Sequence, residues 1–182
     1  MKKLLLALPV CLLMFSCGSG DSSNKADVAG PKSEYYSKFK FDDKNALEGS
    51  VAMGQDMDAV KKSHTGDELT DSDADYLAYE RKIGGDPDYN YATYYYSFDE
   101  ETGKLTYSTI DIYTKENKEA QLLYEDITAA FNERCGKGKS TSSDGWAGQE
   151  WTAVIGGVST LITVERETKD ETGWVMITFS EE

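Results

Sequence analysis

The sequence predicts an α+β fold, an antiparallel sheet with helices packed on one face, and three observations lead to it. Six segments are rich in Tyr, Thr, Ile and Val, the residue types that favour strands. Two other segments repeat apolar residues at the helical period. Short loops that contain Gly join the strand segments, and such hairpin loops connect antiparallel neighbours. The predicted strands cover 76–83, 89–98, 104–114, 146–154, 158–167 and 173–180.

The two helix patterns lie over 55–63 and 118–134. The second is the clearer one, because an apolar stripe runs along its whole length and glycines follow it. Its stripe consists of Ala120, Leu123, Tyr124, Ile127, Ala130 and Phe131. The first has acids in its first turn and lysines in its last, as the helix dipole favours, and Gly66 is its expected stop.

A possible internal repeat connects the two helices and the strands that follow them. The tripeptide Glu-Thr-Gly at 101–103 recurs at 171–173, seventy residues later. The same shift, without a gap, aligns the two helices and carries Tyr76 to Trp146. We expect two copies of a helix–strand–strand–strand unit, over about 45–114 and 115–182. Two unrelated segments of similar composition are the alternative.

The N-terminus has the pattern of a secretory signal. Lys2 and Lys3 precede an apolar run over 4–15. This run is shorter than the roughly 18 apolar residues that a membrane-spanning helix needs. Residues 1–16 are therefore expected to be a signal peptide that is removed.

The signal ends in Ser16-Cys17-Gly18, followed by more Gly and Ser, which resembles the lipobox of bacterial lipoproteins. The resemblance implies cleavage before Cys17 and attachment of diacylglycerol to its thiol. Residues 17–33 are then a lipidated flexible tether, and 34–182 form one folded domain. The protein would be held at the cell envelope, at the outer membrane and facing the periplasm or the exterior, by its anchor alone.

The charge limits the class of partner. The chain has 182 residues with 33 acidic and 19 basic side chains, a net charge of −14, and removal of residues 1–16 takes away two lysines and no acid. Nucleic acid is disfavoured, because phosphate binding requires clustered Lys and Arg. A neutral or basic surface on another envelope protein is the expected partner.

A family resemblance lies in residues 50–62, Ser-Val-Ala-Met-Gly-Gln-Asp-Met-Asp-Ala-Val-Lys-Lys. This segment resembles the opening of SmpA/OmlA-type domains and of β-lactamase-inhibitor-protein-like (BLIP-like) domains. The resemblance implies helices followed by antiparallel strands, arranged in BLIP-like proteins as a tandem duplication. It also implies a binding role in the envelope, with no catalytic residues.

Tyrosine is the most unusual feature of the composition. Of 12 tyrosines, seven lie between Tyr76 and Tyr96. Because strand side chains alternate, one set of these rings should lie on the face that the helices leave uncovered. Rings of this kind are enriched at the centres of protein interfaces, although cross-strand packing alone is the alternative role. The residues expected to bind a partner are Tyr89, Tyr91, Tyr95, Trp146 and Trp151, of which the two tryptophans face opposite ways on a regular strand.

The sequence offers little for catalysis and no motif for a cofactor. It lacks nucleophile, P-loop, zinc-protease and CxxC motifs, and we expect neither an enzyme nor a bound cofactor. His64 is expected to be either a solvated residue or a helix-end residue, and Cys135 a partly buried thiol. Two alternatives stay open, a hydrolase that uses paired carboxylates and a module that binds Ca²⁺ through the acidic loop 71–75.

Overall fold

The computed structural model describes residues 30–39 and 52–182. The predicted signal peptide, Cys17 and most of the tether therefore lie outside the described residues, as do the first two residues of the segment with the family resemblance. No described helix is long and apolar enough to cross a membrane.

Eight antiparallel strands form one sheet, and one α-helix precedes each group of four strands along the chain. The helices are α1 (Met57–Ser63) and α2 (Asn117–Cys135). The strands are β1 (Glu68–Ser72), β2 (Tyr76–Lys82), β3 (Tyr91–Phe98), β4 (Leu105–Thr114), β5 (Lys139–Ser140), β6 (Trp146–Ile155), β7 (Val158–Glu167) and β8 (Gly173–Glu181).

The strand order is β1-β2-β3-β4-β8-β7-β6-β5. Within each half, consecutive strands pair as hairpins, and β4 and β8 join the halves at the centre, where Ile110 lies opposite Ile177. The two short strands are at the edges. The order of the second half is therefore the mirror image of the first.

The predicted class, an α+β fold with an antiparallel sheet, is confirmed, although the molecule is mostly sheet. All six predicted strands are present, and both helices lie within two residues of their predicted limits. The edge strands β1 and β5 were not predicted. All five residues of β1 and both residues of β5 are exposed, so neither strand has the alternation of apolar and polar residues that marks a half-buried strand.

Both helices lie on the same side of the sheet, which we call the covered face. The inward side of α2 consists of Ala120, Leu123, Ile127, Thr128 and Phe131. These residues pack on β6, β7 and β8, and Phe131 contacts the rings of Trp151 and Phe179. On the first half of the sheet, Val60 of α1 is fully buried. Asp56 caps α1, because its Oδ1 accepts a hydrogen bond of 2.9 Å from the Ala59 amide.

The segment before α1 packs on the helical side. A short 3₁₀ helix, Tyr36–Lys38, lies between the buried rings of Tyr35 and Phe39. The end of the predicted tether is also in contact with α2. The Ser33 amide donates to Asp126 at 2.7 Å, and Lys32 pairs with Glu125 at 2.6 Å.

Candidate functional site

The opposite side of the sheet, on which no described helix packs, is named here the open face. Its character follows from the alternation of side chains along each strand. In β3, Tyr94 and Tyr96 point to the covered face and are no more than 1% exposed, whereas Tyr91 and Tyr95 point to the open face and are half-buried. The same strands thus supply a closed core and an accessible surface.

Four aromatic side chains form a row across the open face, named here the aromatic row: Tyr91, Tyr113, Trp174 and Trp146. Tyr91 and Tyr113 stack at 4.8 Å between ring centroids, and Tyr113 and Trp174 stack at 5.8 Å. Trp146 meets Trp174 at 4.9 Å in an edge arrangement. Strand register explains the row, because Tyr91 pairs with Tyr113 and Tyr113 with Trp174. The inner rings, Tyr113 and Trp174, therefore pack through their flat faces, and their edges point to solvent.

A carboxylate, Asp111, lies beside this row near the centre of the sheet. Its Oδ1 accepts a hydrogen bond of 3.1 Å from Trp174 Nε1. Burial raises the pKa of Asp111 above its usual value, and the indole donor offsets this only in part. Burial and then the charge of Asp111 raise the pKa of Tyr113 to about 12. The open face thus holds a charge that its own surroundings compensate poorly.

The residues next to Asp111 add further negative charge to this part of the open face. Register places Thr93 and Met176 on either side of it, with Glu80 and Glu165 beyond them. Lys82 pairs with Glu80, but within residues 30–39 and 52–182 no Lys, Arg or His forms an ion pair with Asp111 or Glu165.

One hydroxyl on the same face also lacks a partner. Thr109 precedes Asp111 by two residues on β4, so both side chains point to the open face. Thr109 is 6% exposed, and its hydroxyl has no hydrogen-bond partner in the described structure. The centre of the open face therefore combines an unpaired carboxylate with an unsatisfied hydroxyl.

The residues that we expected to bind a partner are divided by the fold. Tyr91, Tyr95 and Trp146 lie on the open face, and Tyr95 stacks on Tyr76 at 6.3 Å. Tyr89 lies in the turn before β3, is 45% exposed, and lines a small open cavity of about 130 Å³ next to Tyr91 and Tyr113.

The expectation for Trp151 needs correction. This residue is 4% exposed and lies on the covered face, where its ring contacts Phe131. Its indole N–H donates to the Gly136 carbonyl at 3.0 Å. The physical reason is the alternation of side chains along a strand. Trp151 lies five positions after Trp146, and residues an odd number of positions apart point to opposite faces.

Sequence reasoning missed Tyr113, Trp174 and Asp111. Each belongs to a predicted strand, so its face could have been assigned by parity once the strand limits were known. The contact between these residues could not have been predicted from parity. Asp111 on β4 and Trp174 on β8 are 63 positions apart, and these strands pair across the two halves.

His64 is a helix-end residue, which is one of the two expected positions, but it is not solvated. It follows α1 as the helix-end residue, but it is 2% exposed and sits among tyrosine rings of the covered face. Its ring stacks on Tyr79 at 4.4 Å, and Nε2 is 2.6 Å from the Tyr96 hydroxyl. Nδ1 is 2.7 Å from Asp67, which also accepts two hydrogen bonds from Arg81.

This polar cluster is satisfied internally. Burial alone would raise the pKa of Asp67, but hydrogen bonds from Arg81 and His64 outweigh it and hold that pKa below its usual value. Tyr96 is 1% exposed, and burial raises its pKa well above the usual value. The cluster can therefore stabilise the fold, and its acceptors and donors are already engaged.

The remaining candidate groups are the acidic segment 71–75, considered as a Ca²⁺ site, and the thiol of Cys135. Of the acidic segment 71–75, residues 71 and 72 end β1 and 73–75 form the turn to β2, where Asp73 accepts a hydrogen bond from the Ala74 amide. Within the described ranges no three His, Cys, Asp or Glu side chains are grouped to hold a metal ion. Cys135 borders an open cavity of about 250 Å³ with Trp151, and burial raises the pKa of its thiol.

Comparison with family models, with curated proteins and with solved structures finds no match to this chain.

Proposed function

We propose that the protein is a lipid-anchored envelope protein that binds another envelope protein through its open face and catalyses no reaction. The observation that carries this proposal is the aromatic row, half-buried on the side of the sheet on which no described helix packs. Aromatic side chains contribute large contact areas at low cost in side-chain entropy and dominate the energetics of many interfaces.

The geometry of the row supports a role in binding. Cross-strand stacking holds Tyr91, Tyr113 and Trp174 in place before any partner arrives. Side chains that are already ordered lose little freedom on association, so more of their contact energy appears as affinity. The unequal charge, with 33 acids against 19 bases, favours a partner surface that is neutral or basic.

Affinity capture from the native membrane tests this function. The lipidated wild-type chain and the Tyr91→Ala/Tyr95→Ala variant are compared after mild crosslinking. Tyr36→Ala/Tyr124→Ala is the matched control, because it removes two half-buried tyrosines from the helical side. We expect the open-face variant to lose its partner while its thermal unfolding stays cooperative. Equal capture by all three proteins would contradict the proposal.

Anchoring through Cys17 is a separate part of the proposal. It is supported by the apolar run over 4–15 and the Ser-Cys-Gly sequence after it. Growth with an alkyne-tagged fatty acid should label the wild-type chain and leave Cys17→Ser unlabelled, with Cys135→Ser labelled as the control. Labelling of Cys17→Ser at the wild-type level would contradict the anchor.

We further propose that the domain is BLIP-like, with two copies of one unit over about 45–114 and 115–182. The mirrored strand order supports this, as does the shift of seventy residues that carries the start of β2 to the start of β6. One residue must be left out in β4, since a bulge lies between Leu105 and Tyr107 and reverses the faces beyond it. An experimental structure in which 76–98 does not superpose on 146–168 would contradict the duplication.

A further inference from the structure

We propose that Asp111 and the rings around it form a seat for a guanidinium or ammonium group, which an arginine or lysine of the partner protein supplies. This inference rests on the proposed function and names the chemistry of the partner at the same face. Trp174 donates to one oxygen of Asp111 at 3.1 Å. A partner cation would bind the same carboxylate from the solvent side.

The charge balance of the face supports this choice of occupant. Asp111 is half-buried and has no ion-pair partner in the described part of the chain, and Glu165 lies beyond Met176 in the same register. A buried charge without a partner costs free energy, and a partner that brings the opposite charge recovers that cost on binding.

The protein already shows this chemistry at the end of the aromatic row. The ammonium group of Lys82 pairs with the Glu80 carboxylate and lies 5.5 Å from the Tyr91 ring centroid. Thus a cation held between a carboxylate and an aromatic ring is compatible with this face. At Asp111 the carboxylate is present beside ring edges, so the ion pair with Asp111, and not a contact with a ring face, would hold the partner's cation. The structure gives Asp111 no ion-pair partner among residues 30–39 and 52–182.

Stacking of a sugar on the row is the competing use of such rings, and the ring geometry disfavours it. Tyr113 has Tyr91 on one side and Trp174 on the other, with interplanar angles of 27° and 15°. A sugar requires a free ring face, and these inner rings present their edges. We therefore choose a cationic polypeptide as the occupant and make the sugar an outcome of the test.

The test is a titration followed by ¹⁵N–¹H spectra of the three tryptophan indoles. The full ¹⁵N-labelled chain, in uncharged detergent micelles with 150 mM NaCl, receives one of three probes. The first is a blocked peptide with three arginines separated by glycines. The second is the same peptide with citrulline, the neutral isostere of arginine, and the third is cellohexaose. The salt screens unspecific attraction between a peptide and an acidic protein.

We expect the arginine peptide to shift the Trp174 indole signal to saturation, because that N–H donates to Asp111. Trp151 serves as the internal control, since its indole N–H is buried on the covered face and donates to Gly136. Its signal should stay in place. A Trp174 shift of equal size with the citrulline peptide or with cellohexaose, or no shift with arginine, would overturn the proposal.

Asp111→Asn is the matching variant, because Asn keeps an acceptor for Trp174 and loses the charge. Its affinity for the arginine peptide should fall at least tenfold. Glu133→Gln, which removes one exposed charge from α2, should change the affinity less than twofold. Equal losses in the two variants would show that only net charge matters.

The failure of this inference can be told apart from that of the proposed function. If Tyr91→Ala/Tyr95→Ala loses the envelope partner while Asp111→Asn keeps it at full affinity, the face binds without a cation and only this inference is wrong. If neither substitution weakens capture, the proposed function is wrong as well.

Discussion

The two faces of the sheet treat a half-buried carboxylate in opposite ways. On the covered face, Asp67 receives hydrogen bonds from Arg81 and His64, and its pKa is lowered. On the open face, Asp111 receives one bond from the Trp174 indole, and its pKa is raised. The pairing of Asp67 favours folding, whereas the burial of ionised Asp111 opposes it, and our proposal assigns Asp111 to a partner's cation. The difference teaches that one sheet can pair a carboxylate with internal cations on one face and leave another carboxylate without an ion pair on the opposite face.

The largest change in the free energy of unfolding should come from a substitution in the packed core of the covered face. Phe131→Ala removes a fully buried ring that contacts Trp151 and Phe179, and it should lower the free energy of unfolding by about 3–5 kcal/mol. Urea denaturation measures this. Val154→Ala, at a side chain 69% exposed, is the control and should change the value by less than about 0.5 kcal/mol. Similar losses for both would mean that α2 does not cover the core as described.

The polar cluster should give the next largest effect. Asp67→Asn leaves Arg81 and His64 without their anionic partner and should cost about 2–3 kcal/mol at pH 7. Because the pKa of Asp67 is lower in the folded chain, its contribution is complete above the ordinary value of 3.8 and is lost as the pH falls through the folded value. Urea unfolding at several pH values between 2 and 7 should show a smaller acid loss in the variant. An unchanged pH profile would contradict the pairing.

A smaller effect tests the stacking of the aromatic row. Single substitutions Tyr91→Ala and Tyr113→Ala, combined in a double-mutant cycle, should give a coupling of about 0.5–1.5 kcal/mol in the free energy of unfolding. Tyr76 and Tyr113, which lie next to opposite ends of β3, form the control pair and should be additive. Additivity of Tyr91 and Tyr113 would show that the rings are not held before binding.

The smallest expected change is a gain in stability, and it comes from a substitution at Asp111. The folded protein binds the Asp111 proton more tightly than the unfolded chain does, so ionised Asp111 opposes folding at neutral pH. Asp111→Asn should therefore raise the free energy of unfolding at pH 7, by less than about 1 kcal/mol. Thermal unfolding beside Glu133→Gln, which should be neutral, checks this. A clear loss of stability in Asp111→Asn would remove the contrast between the faces.

Much of the fold could be predicted from local patterns, because they were strong. The stripe of α2 and the alternation of β2, β3, β4, β6, β7 and β8 are visible in single segments of sequence. The exposed edge strand β1 carries no such pattern and exists through its pairing with β2. The central pairing of β4 with β8 joins segments on either side of α2, and no local pattern specifies it.

The candidate site was predictable to a lesser degree. Parity alone placed Tyr91 and Tyr95 on one face and Tyr94 and Tyr96 on the other. The environment of His64 depends on Tyr96, 32 residues away, and that of Asp111 on Trp174, 63 residues away. A lone polar residue gives no sign of such partners, so its burial and charge follow only from the assembled sheet.

Site-specific photocrosslinking in the native envelope tests most directly whether the open face meets a partner. A benzophenone amino acid is placed at Tyr95, on the open face, or at Tyr124, on α2, in otherwise wild-type chains. We predict a discrete crosslinked product from position 95 on irradiation and none from position 124. A product from position 124 alone, or none from position 95, would contradict the assignment of the open face as the binding surface.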